Sequence, residues 1–577
     1  MQLLELRANK PSFHTVRFKP SGISIIAAIK ETNDQKKTYN SVGKSLTVTL
    51  IHFCLGSNQN KEFEEKLTDW TFTLDFKIGK KTFSASRSTG NQKEIILNGT
   101  VSTLDNFKKT LEKEIFLLPE NSKFISFRGL ISRFIRPSKH SYVSYDTYIK
   151  DEDKNPMVQL INTAFLLGLD IQLILKKGEL KEKFDNIIKL KSQIANPEFK
   201  LLFEAENEKD VEIKIVDYET KIAKFKNNLS EFKVAEDYYN IKKEADEISF
   251  KLNSLKNKAS NLRIAISNID KSLEIQPDIS KKKIIELFNE ANFQLANSII
   301  RRLGEVEAFN SKLLSNRTEK LLSEKRSFEQ QLEELNLQIN SNGVLLNDKL
   351  QYLNTHGALK EYTQLNKQLA DIEKKLDKLL QYKKLVSEYK QKNEEIKQDF
   401  SMENIRTNKY LDSAETTIKN NIALFKSFSD EFYRDKASGI SVENNDKVNT
   451  IRFDINAKIE DDTGDAVNEV KIFCFDWTIL KGQHNHKVKF LFHDSRITDG
   501  IDTRQLKTMF EIASKECKKN NFQYIISLNQ NIIDSLKDEM ADEEHKSLVI
   551  DNIILTLNDK SPGDKLLGIQ LDLDYEK

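Results

Sequence analysis

Three cysteines in 577 residues, Cys54, Cys474 and Cys517, stand far apart and form no CxxC pair. That excludes a disulfide framework and a zinc hook built on CxxC, and it suits a reducing cytosol, so a cytoplasmic protein is expected. Net charge is nearly absent as well: 90 Lys and Arg face 88 Asp and Glu, leaving +2. A bulk basic signal for nucleic acid is therefore missing, and any such surface has to be local. No apolar run approaches the ~18 residues needed to span a bilayer, so no membrane partner is expected. The opening MQLLELRANK lacks the small-residue cleavage site of a signal peptide. None of the eight histidines forms an HExxH or a similar ligand pair, and no nuclease or protease constellation is visible. Glycine (18) and proline (8) are scarce. What fills the chain instead is 31% charged and 38% apolar residues, a mix that fits long helices better than loops or sandwiches.

At roughly 150 residues per domain the length allows three or four units. Residues 1–172 read as globular. GISIIAAIK (22–30) is a buried-strand candidate, and WTFTLDFKIGKKTFSASR (70–87) alternates, with Phe72, Leu74, Phe76 and Ile78 facing one way and a turn at Gly79-Lys80-Lys81. EIILNG (94–99) continues as a strand and turn. The middle changes period. Ile241, Ala245, Ile248, Leu252, Leu255, Ala259, Leu262, Ile266, Ile269 and Leu273 step by four and three, the a/d seam of a coiled coil. Leu321, Phe328, Leu332, Leu335 and Ile339 form a second run. Leu365, Leu369, Ile372, Leu376, Leu379 and, after a polar Lys383, Val386 form a third. Pro197 breaks the first helix near its base and Pro277 ends the ascending run. The expected organisation is an ascending arm (173–275, broken near 197), an apex (276–310) and a descending arm (311–430). Each arm of ~100 residues reaches up to ~150 Å. A parallel homodimeric coiled coil is the alternative to this hairpin. Residues 431–577 return to strands: TIRFDINAKI (450–459), VKFLFHDS (488–495), FQYIISLNQ (522–530), IILTL (553–557) and LLGIQLDL (566–573).

The chemistry-bearing segment is Thr38-Tyr39-Asn40-Ser41-Val42-Gly43-Lys44-Ser45, before the apolar run LTVTLIHFCLG that begins at Leu46. It approaches the phosphate-binding pattern GxxxxGK[ST], with Thr38 where the first glycine would stand. Such a loop curls backbone N–H groups round phosphates, brings a lysine (Lys44) to the β/γ oxygens and sets a hydroxyl (Ser45) on Mg²⁺. The start of a helix near Gly43 adds its positive end. The site then needs an acid for Mg²⁺ at the end of a neighbouring apolar strand. Asp494, after Phe490-Leu491-Phe492-His493, fits that place. The water-activating Glu would follow it, and Ser495 holds that position. Alternatively His493 is the metal ligand and Asp494 the base.

These residues, in this order, resemble the SMC family of ABC-type ATPases, which includes RecN- and RecF-like proteins. The resemblance covers most of the chain: an N-terminal strand pair (LLELRANKPSFHTVRFKP), GISII, then Asn40-x-x-Gly43-Lys44-Ser45, where the family reads GxNGxGKS and Thr38 and Ser41 replace glycines. It implies an α/β fold, an ABC-type P-loop ATPase head in two halves (1–172 and 431–577) split by a long antiparallel α-helical coiled coil. It implies ATP and Mg²⁺ as cofactors, held by Asn40, Ser41, Val42, Gly43, Lys44, Ser45 and Leu46, with Ser45 and Asp494 on the metal. The signature motif that touches the opposite head's nucleotide is carried by Thr463-Gly464, the D-loop aspartate by Asp502, and the switch residue by Asn529 in place of the usual histidine. The strings FRGLISRFIR, FLFHDSRITDGID and YIISLN look most like an uncharacterised bacterial branch, YydD-like proteins with a domain of unknown function. That branch is associated with three-component ABC conflict systems, and related SMC-like subunits serve Lamassu-type phage defence.

The resemblance implies a homodimer with ATP sandwiched between heads, contact with DNA, and an accessory subunit and an effector nuclease as partners. Candidate DNA contacts are Arg128, Arg133 and Arg136 in SFRGLISRFIRPSKH, where basic and aromatic residues interleave, and Arg87 on the hairpin. Leu130, Ile131, Phe134 and Ile135 at helical spacing give the same stretch an amphipathic reading, packed on the head. Two other functions compete: a nucleotide-binding scaffold with little or no hydrolysis, which the departures at Thr38, Ser41, Ser495 and Asn529 favour, and a RecN- or RecF-like DNA-repair ATPase.

Overall fold

Residues 1–30, 42–119, 124–147, 155–205, 208–230, 236–274, 297–354, 359–460 and 465–571 are described in the computed structural model of the chain, a mixed α/β protein with long helices. Thr38, Asn40, Ser41, Thr463, Gly464 and residues 275–296 of the expected apex lie outside the described residues. Spatial proximity divides the chain into a unit built from residues 1–182 and 398–571 and a unit built from 183–274 and 297–397.

The first unit draws strands from both ends of the chain: β1 (Gln2–Ala8), β2 (Val16–Arg17), β3 (Gly22–Ile29), β4 (Thr71–Ile78), β5 (Lys81–Ser88), β6 (Glu94–Leu97), β7 (Thr100–Thr103), β8 (Ser438–Asn444), β9 (Phe453–Ile459), β10 (Phe490–His493), β11 (Gln523–Asn529) and β12 (Ile553–Asn558). An antiparallel sheet runs β2-β1-β4-β5-β6-β7. Its core face is the alternating set of β4: Phe72, Leu74, Phe76 and Ile78 are buried, and Trp70 stacks on Phe72. Gly79, at φ +59, makes the corner to β5, a left-handed conformation that costs glycine little.

A second sheet is parallel, in the order β10-β11-β3-β12. β3 pairs with β11 from Gly22↔Gln523 to Ala28↔Asn529 and with β12 on its other edge. The near-continuous apolar run Ile23–Ala28 is what a strand covered on both faces requires, and all six residues are buried. The N-terminal strand β3 is thus flanked on both sides by strands more than 500 residues later in sequence order. The stretch Leu566–Leu571, expected as a strand, is not one. It is pinned by single backbone bonds, Leu566 N–H to Val42 O at 3.0 Å and His14 N–H to Leu566 O at 2.9 Å.

The second unit is an antiparallel helical hairpin. The helix Glu236–Glu274 lies along the helix Asn297–Asn354, with Lys325 paired to Asp270 at 2.6 Å and Lys349 paired to Glu244. Partner numbers that rise on one helix while falling on the other fix the antiparallel sense, so the pairing is made within one chain. Ala245, Leu252, Leu255, Ala259 and Ile269 of the expected seam are buried. Further down, Leu379 and Val386 pack with Ile194, Val211 and Ile215. Here the seam differs from expectation. Tyr382 is the buried residue, against Phe203, while Lys383 faces out to Glu212 at 2.8 Å. An aromatic ring one position earlier fills the space that a lysine would have to desolvate to enter. Pro197 opens a short helix, Pro197–Leu202, capped by the Asn196 side chain at 2.9 Å from the Glu198 N–H.

The return to the first unit comes at 398 rather than 431. The reason is packing: the helix Glu415–Phe432 buries Phe425, Phe428 and Phe432 among Phe473 and Trp477. Likewise residues 172–182 belong to this unit. Lys177 is buried there and donates to Asn445 Oδ1 at 3.2 Å and to the Asn445 and Ile451 carbonyls.

Candidate functional site

The C-terminal ends of the parallel strands lie on one edge of the sheet, the usual place for a ligand in an open α/β layer. β3 leads towards the helix Lys44–Cys54, β10 ends directly before Asp494, and β11 ends at Asn529 between them. Gly43 is the N-cap of that helix at φ +104, and a Cβ there would sit 2.6 Å from Leu566 Cβ. Only glycine meets both the left-handed turn and the close approach.

Four residues from opposite ends of the sequence then converge. Ser45 Oγ donates to Asp494 Oδ2 at 3.0 Å. Lys44 Nζ donates to Asn529 Oδ1. Lys44 and Asp494 are buried, while Ser45 and Asn529 keep partial exposure at the rim. Burial pulls the Lys44 ammonium below its usual range; Asp494 opposes that shift, Arg496 adds to it and Asp499 opposes it. Val42 and Leu46, flanking the Gly43-Lys44-Ser45 turn, are buried in the core and hold it from behind.

Sequence reasoning missed several residues around Asp494. Ser527, on β11, donates its hydroxyl to Asp494 Oδ1 and accepts the Ser495 N–H at 3.1 Å. The Asp494 N–H donates to Tyr142 Oη at 2.7 Å. Arg496 Nη1 stands 3.5 Å from Asp494 Oδ2. Asp499 has its carboxyl held above the ordinary range by burial and by Asp494, with Arg496 and Lys44 acting against the shift. Among these, Ser527 carried a weak signal, a hydroxyl inside the otherwise apolar YIISL.

His493 is not placed as a metal ligand. Its ring is buried, with Nε2 3.1 Å from Asp476 Oδ2 and Nδ1 3.2 Å from Tyr524 Oη, so both nitrogens are engaged. The residue of this strand end that meets Ser45 is Asp494. Asp502 is the exposed N-cap of the helix Thr503–Asn520, accepting the Gln505 N–H at 2.8 Å.

The expected DNA contacts need correction. Arg136 and Arg133 are fully buried. Arg136 forms a two-pronged pair with Asp476, with Nη2 2.8 Å from Oδ1, and donates to the Ser141, Tyr145 and Thr147 carbonyls. Arg133 donates to Thr163 Oγ1 at 3.1 Å and to the Tyr145 carbonyl. Arg87 is buried over the Phe53 ring and donates to the Phe53, Ser57 and Gln92 carbonyls at 2.7–2.9 Å. Arg128 is half-buried and turned onto His52. These guanidinium groups are spent on structural acceptors and offer no phosphate track. The amphipathic reading of the 126–140 stretch is the one realised: Leu130, Ile131, Phe134 and Ile135 are buried. Asp476 was a legible signal, a lone acid in the apolar helix IFCFDWTIL. Burial pushes its carboxyl up, but the Arg136 pair, the His493 bond and Arg133 outweigh that and hold it below the usual range.

The oxygen donors gathered at the site, the Ser45 hydroxyl and the Asp494 carboxylate, are hard ligands. Mg²⁺ takes one or two such protein groups and completes its shell with water and substrate phosphate, so this donor set fits it. Among the described residues no helix is long and apolar enough to cross a membrane.

A family model described as an uncharacterised protein conserved in bacteria, DUF2326, matches residues 428–571. No curated protein matches the chain. Among solved structures it is similar to an Smc head domain with a coiled coil and joint from Pyrococcus yayanosii, at 14% identity over 100% of this chain and 98% of that one, with a TM-score of 0.32. It is also similar to an Smc head domain with an extended coiled coil, bound to the C-terminal domain of ScpA, from Pyrococcus furiosus: 10% identity, 97% and 94% coverage, TM-score 0.34.

Proposed function

We propose that the first unit is a split ATPase head that binds Mg²⁺ and ATP and turns ATP over slowly. The observation that carries this reading is the convergence of Lys44 and Ser45 with Asp494 and Asn529 at the C-terminal edge of one parallel sheet. Lys44 would neutralise the β/γ oxygens. Its Nζ is held by a neutral amide oxygen, a partner that a phosphate oxygen readily displaces. Ser45 and Asp494 would hold the metal, and Ser527 fixes the other Asp494 oxygen so that the carboxylate presents one edge. Held by these two residues, Mg²⁺ would supply positive charge against the nucleotide's phosphates. The slow turnover follows from Ser495: its hydroxyl is a weak base where a carboxylate would activate water.

The family resemblance extends the proposal to ATP sandwiched between two heads, to DNA sensing, and to control of an effector nuclease in anti-phage defence. DNA contact would then use surfaces other than Arg87, Arg133 and Arg136. The competing scaffold reading, binding without turnover, draws on the same Ser495.

The test is equilibrium ATP binding and steady-state hydrolysis, with and without linear DNA, for the wild type and Lys44→Ala. The expected result is Mg²⁺-dependent binding by the wild type, weakened about tenfold or more in Lys44→Ala, since hydrogen bonds to charged groups contribute about 1.5–3 kcal/mol each. A wild type that binds no nucleotide would sink the proposal. Binding with no turnover under any condition would favour the scaffold.

A further inference from the structure

Leu566 uses both of its backbone groups to join two segments that are far apart in sequence. Its N–H donates to the Val42 carbonyl, at the turn that opens the helix Lys44–Cys54, and its carbonyl accepts the His14 N–H, in the loop between β1 and β2. Two side chains of that loop fasten the same stretch. Ser12 Oγ donates to the Leu567 carbonyl at 2.9 Å, and His14 Nε2 donates to the Gly563 carbonyl at 2.6 Å. Gly568 then turns at φ +65 and lies so close that a Cβ there would sit 2.0 Å from the Ser12 carbonyl oxygen. The loop is itself anchored on the antiparallel sheet, where Phe13 packs edge-on against Trp70 and Phe72 at 6.4 and 5.7 Å between ring centres. Residues 565–568 thus form a strap from a rigid sheet to the Gly43 turn.

That turn needs an outside hold. Gly43 stands at φ +104 as the N-cap, with no side-chain capping bond. A glycine has no Cβ to confine it to the left-handed region, so contacts around it decide which conformation it keeps. Leu566 supplies such contacts: a backbone bond to Val42 and a fully buried side chain whose Cβ occupies the space beside Gly43. The next two residues, Lys44 and Ser45, reach Asn529 and Asp494 from that turn. A loop fixed before its ligand arrives binds it at less cost in ordering. We propose that Leu566 is a positioning residue of the nucleotide site: the strap holds the Val42-Gly43 turn so that Lys44 and Ser45 meet phosphate and metal already in place. The inference rests on the nucleotide reading above.

Two measurements on the full chain test it: hydrogen exchange over residues 42–54 without nucleotide, and calorimetric binding of ATP with Mg²⁺. Wild type is compared with Leu566→Ala, Leu566→Met and Gly568→Ala. Leu111→Ala, which truncates a buried leucine of the helix Leu104–Ile115, is the control for lost packing alone. Chemical denaturation confirms that each variant folds. Leu566→Ala removes the backstop, and Gly568→Ala lifts the strap off Ser12 without touching the leucine. Both should speed exchange over residues 42–54 on the order of tenfold, as a local opening does. Both should weaken ATP about tenfold, the loss of one charge-assisted contact. Leu566→Met, which conserves volume, should stay near wild type in both readouts. Leu111→Ala should lose stability yet keep wild-type ATP affinity. Wild-type exchange and affinity in both Leu566→Ala and Gly568→Ala overturn the inference, and so does a Leu111→Ala variant that weakens ATP as much as Leu566→Ala. A wild type that binds no nucleotide while the exchange differences persist overturns the site reading instead.

Discussion

His486 is locked as a neutral imidazole by two bonds of opposite sense. Its Nδ1 accepts the Val488 N–H at 3.2 Å, and its Nε2 therefore donates to the Ile479 carbonyl at 3.1 Å. Burial lowers its pKa from 6.5 to about 3, with the Ile479 bond only partly opposing. The folded value lies below the unfolded one, so the unfolded chain binds the extra proton between those pH values. Stability from this residue is complete above about 6.5 and is lost as pH falls towards 3, amounting to about 2 kcal/mol by pH 5. His486→Gln removes the titrating group. Denaturation at pH 7 and pH 5 should show a wild type that loses about 2 kcal/mol more than the variant over that interval, and equal losses would refute the assignment. At this scale Gly43, Lys44, Ser45 and Asp494 were legible because each belongs to a short string whose spacing encodes a conformation. Tyr142, Ser527 and Arg496 were not, since their roles depend on which side chains a neighbouring strand or turn happens to face.

Two elements from opposite halves of the chain are fastened by one buried acid. Asp476, on the helix Asp465–Gly482, pairs with Arg136 at the end of the helix Phe127–Ile135 and also holds His493, the residue before Asp494. Arg136 has φ +44, a left-handed C-cap that turns its side chain inwards from the helix end. Removing one partner leaves an uncompensated buried charge, which costs about 3–5 kcal/mol. Asp476→Leu and Arg136→Met should each lose that much in chemical denaturation, and the double variant should be more stable than either. Additive losses would mean that the two groups act separately. Sequence periodicity marked the hydrophobic face of the Phe127–Ile135 helix correctly, yet the arginines between its apolar residues read as a surface track. A pattern shows which residues are apolar; it does not show that a distant acid waits to neutralise a cation inside. The Leu566–Leu571 segment was misread for a related reason. Its apolar residues suit a strand, but Leu566 is buried as a backstop to Gly43 instead of joining a sheet edge.

At the scale of the whole molecule, heptad spacing made the antiparallel arms legible, and the strand patterns on either side made legible a mixed α/β unit drawn from both ends of the chain. The unit boundaries were not, because helices at 172–182 and 398–432 continue the helical pattern while packing as part of the first unit. The deeper consequence lies in β3. Its partners on both edges, β11 and β12, come from the C-terminal part of the chain. Residues 1–182 alone would leave an apolar strand with two bare edges, a template for aggregation. Residues 398–577 alone would lack the central strand of their parallel sheet. Neither piece should fold by itself, whereas co-expression should return a soluble one-to-one complex with a single cooperative unfolding transition. The measurement is solubility, size-exclusion chromatography and thermal unfolding of each piece and of the pair. A soluble 1–182 piece that unfolds cooperatively alone would show that the sheet is not shared as its register requires. The same complex, if it binds ATP, would place the proposed nucleotide binding in the first unit without residues 183–397, since Lys44 and Ser45 lie in one piece and Asp494 and Asn529 in the other.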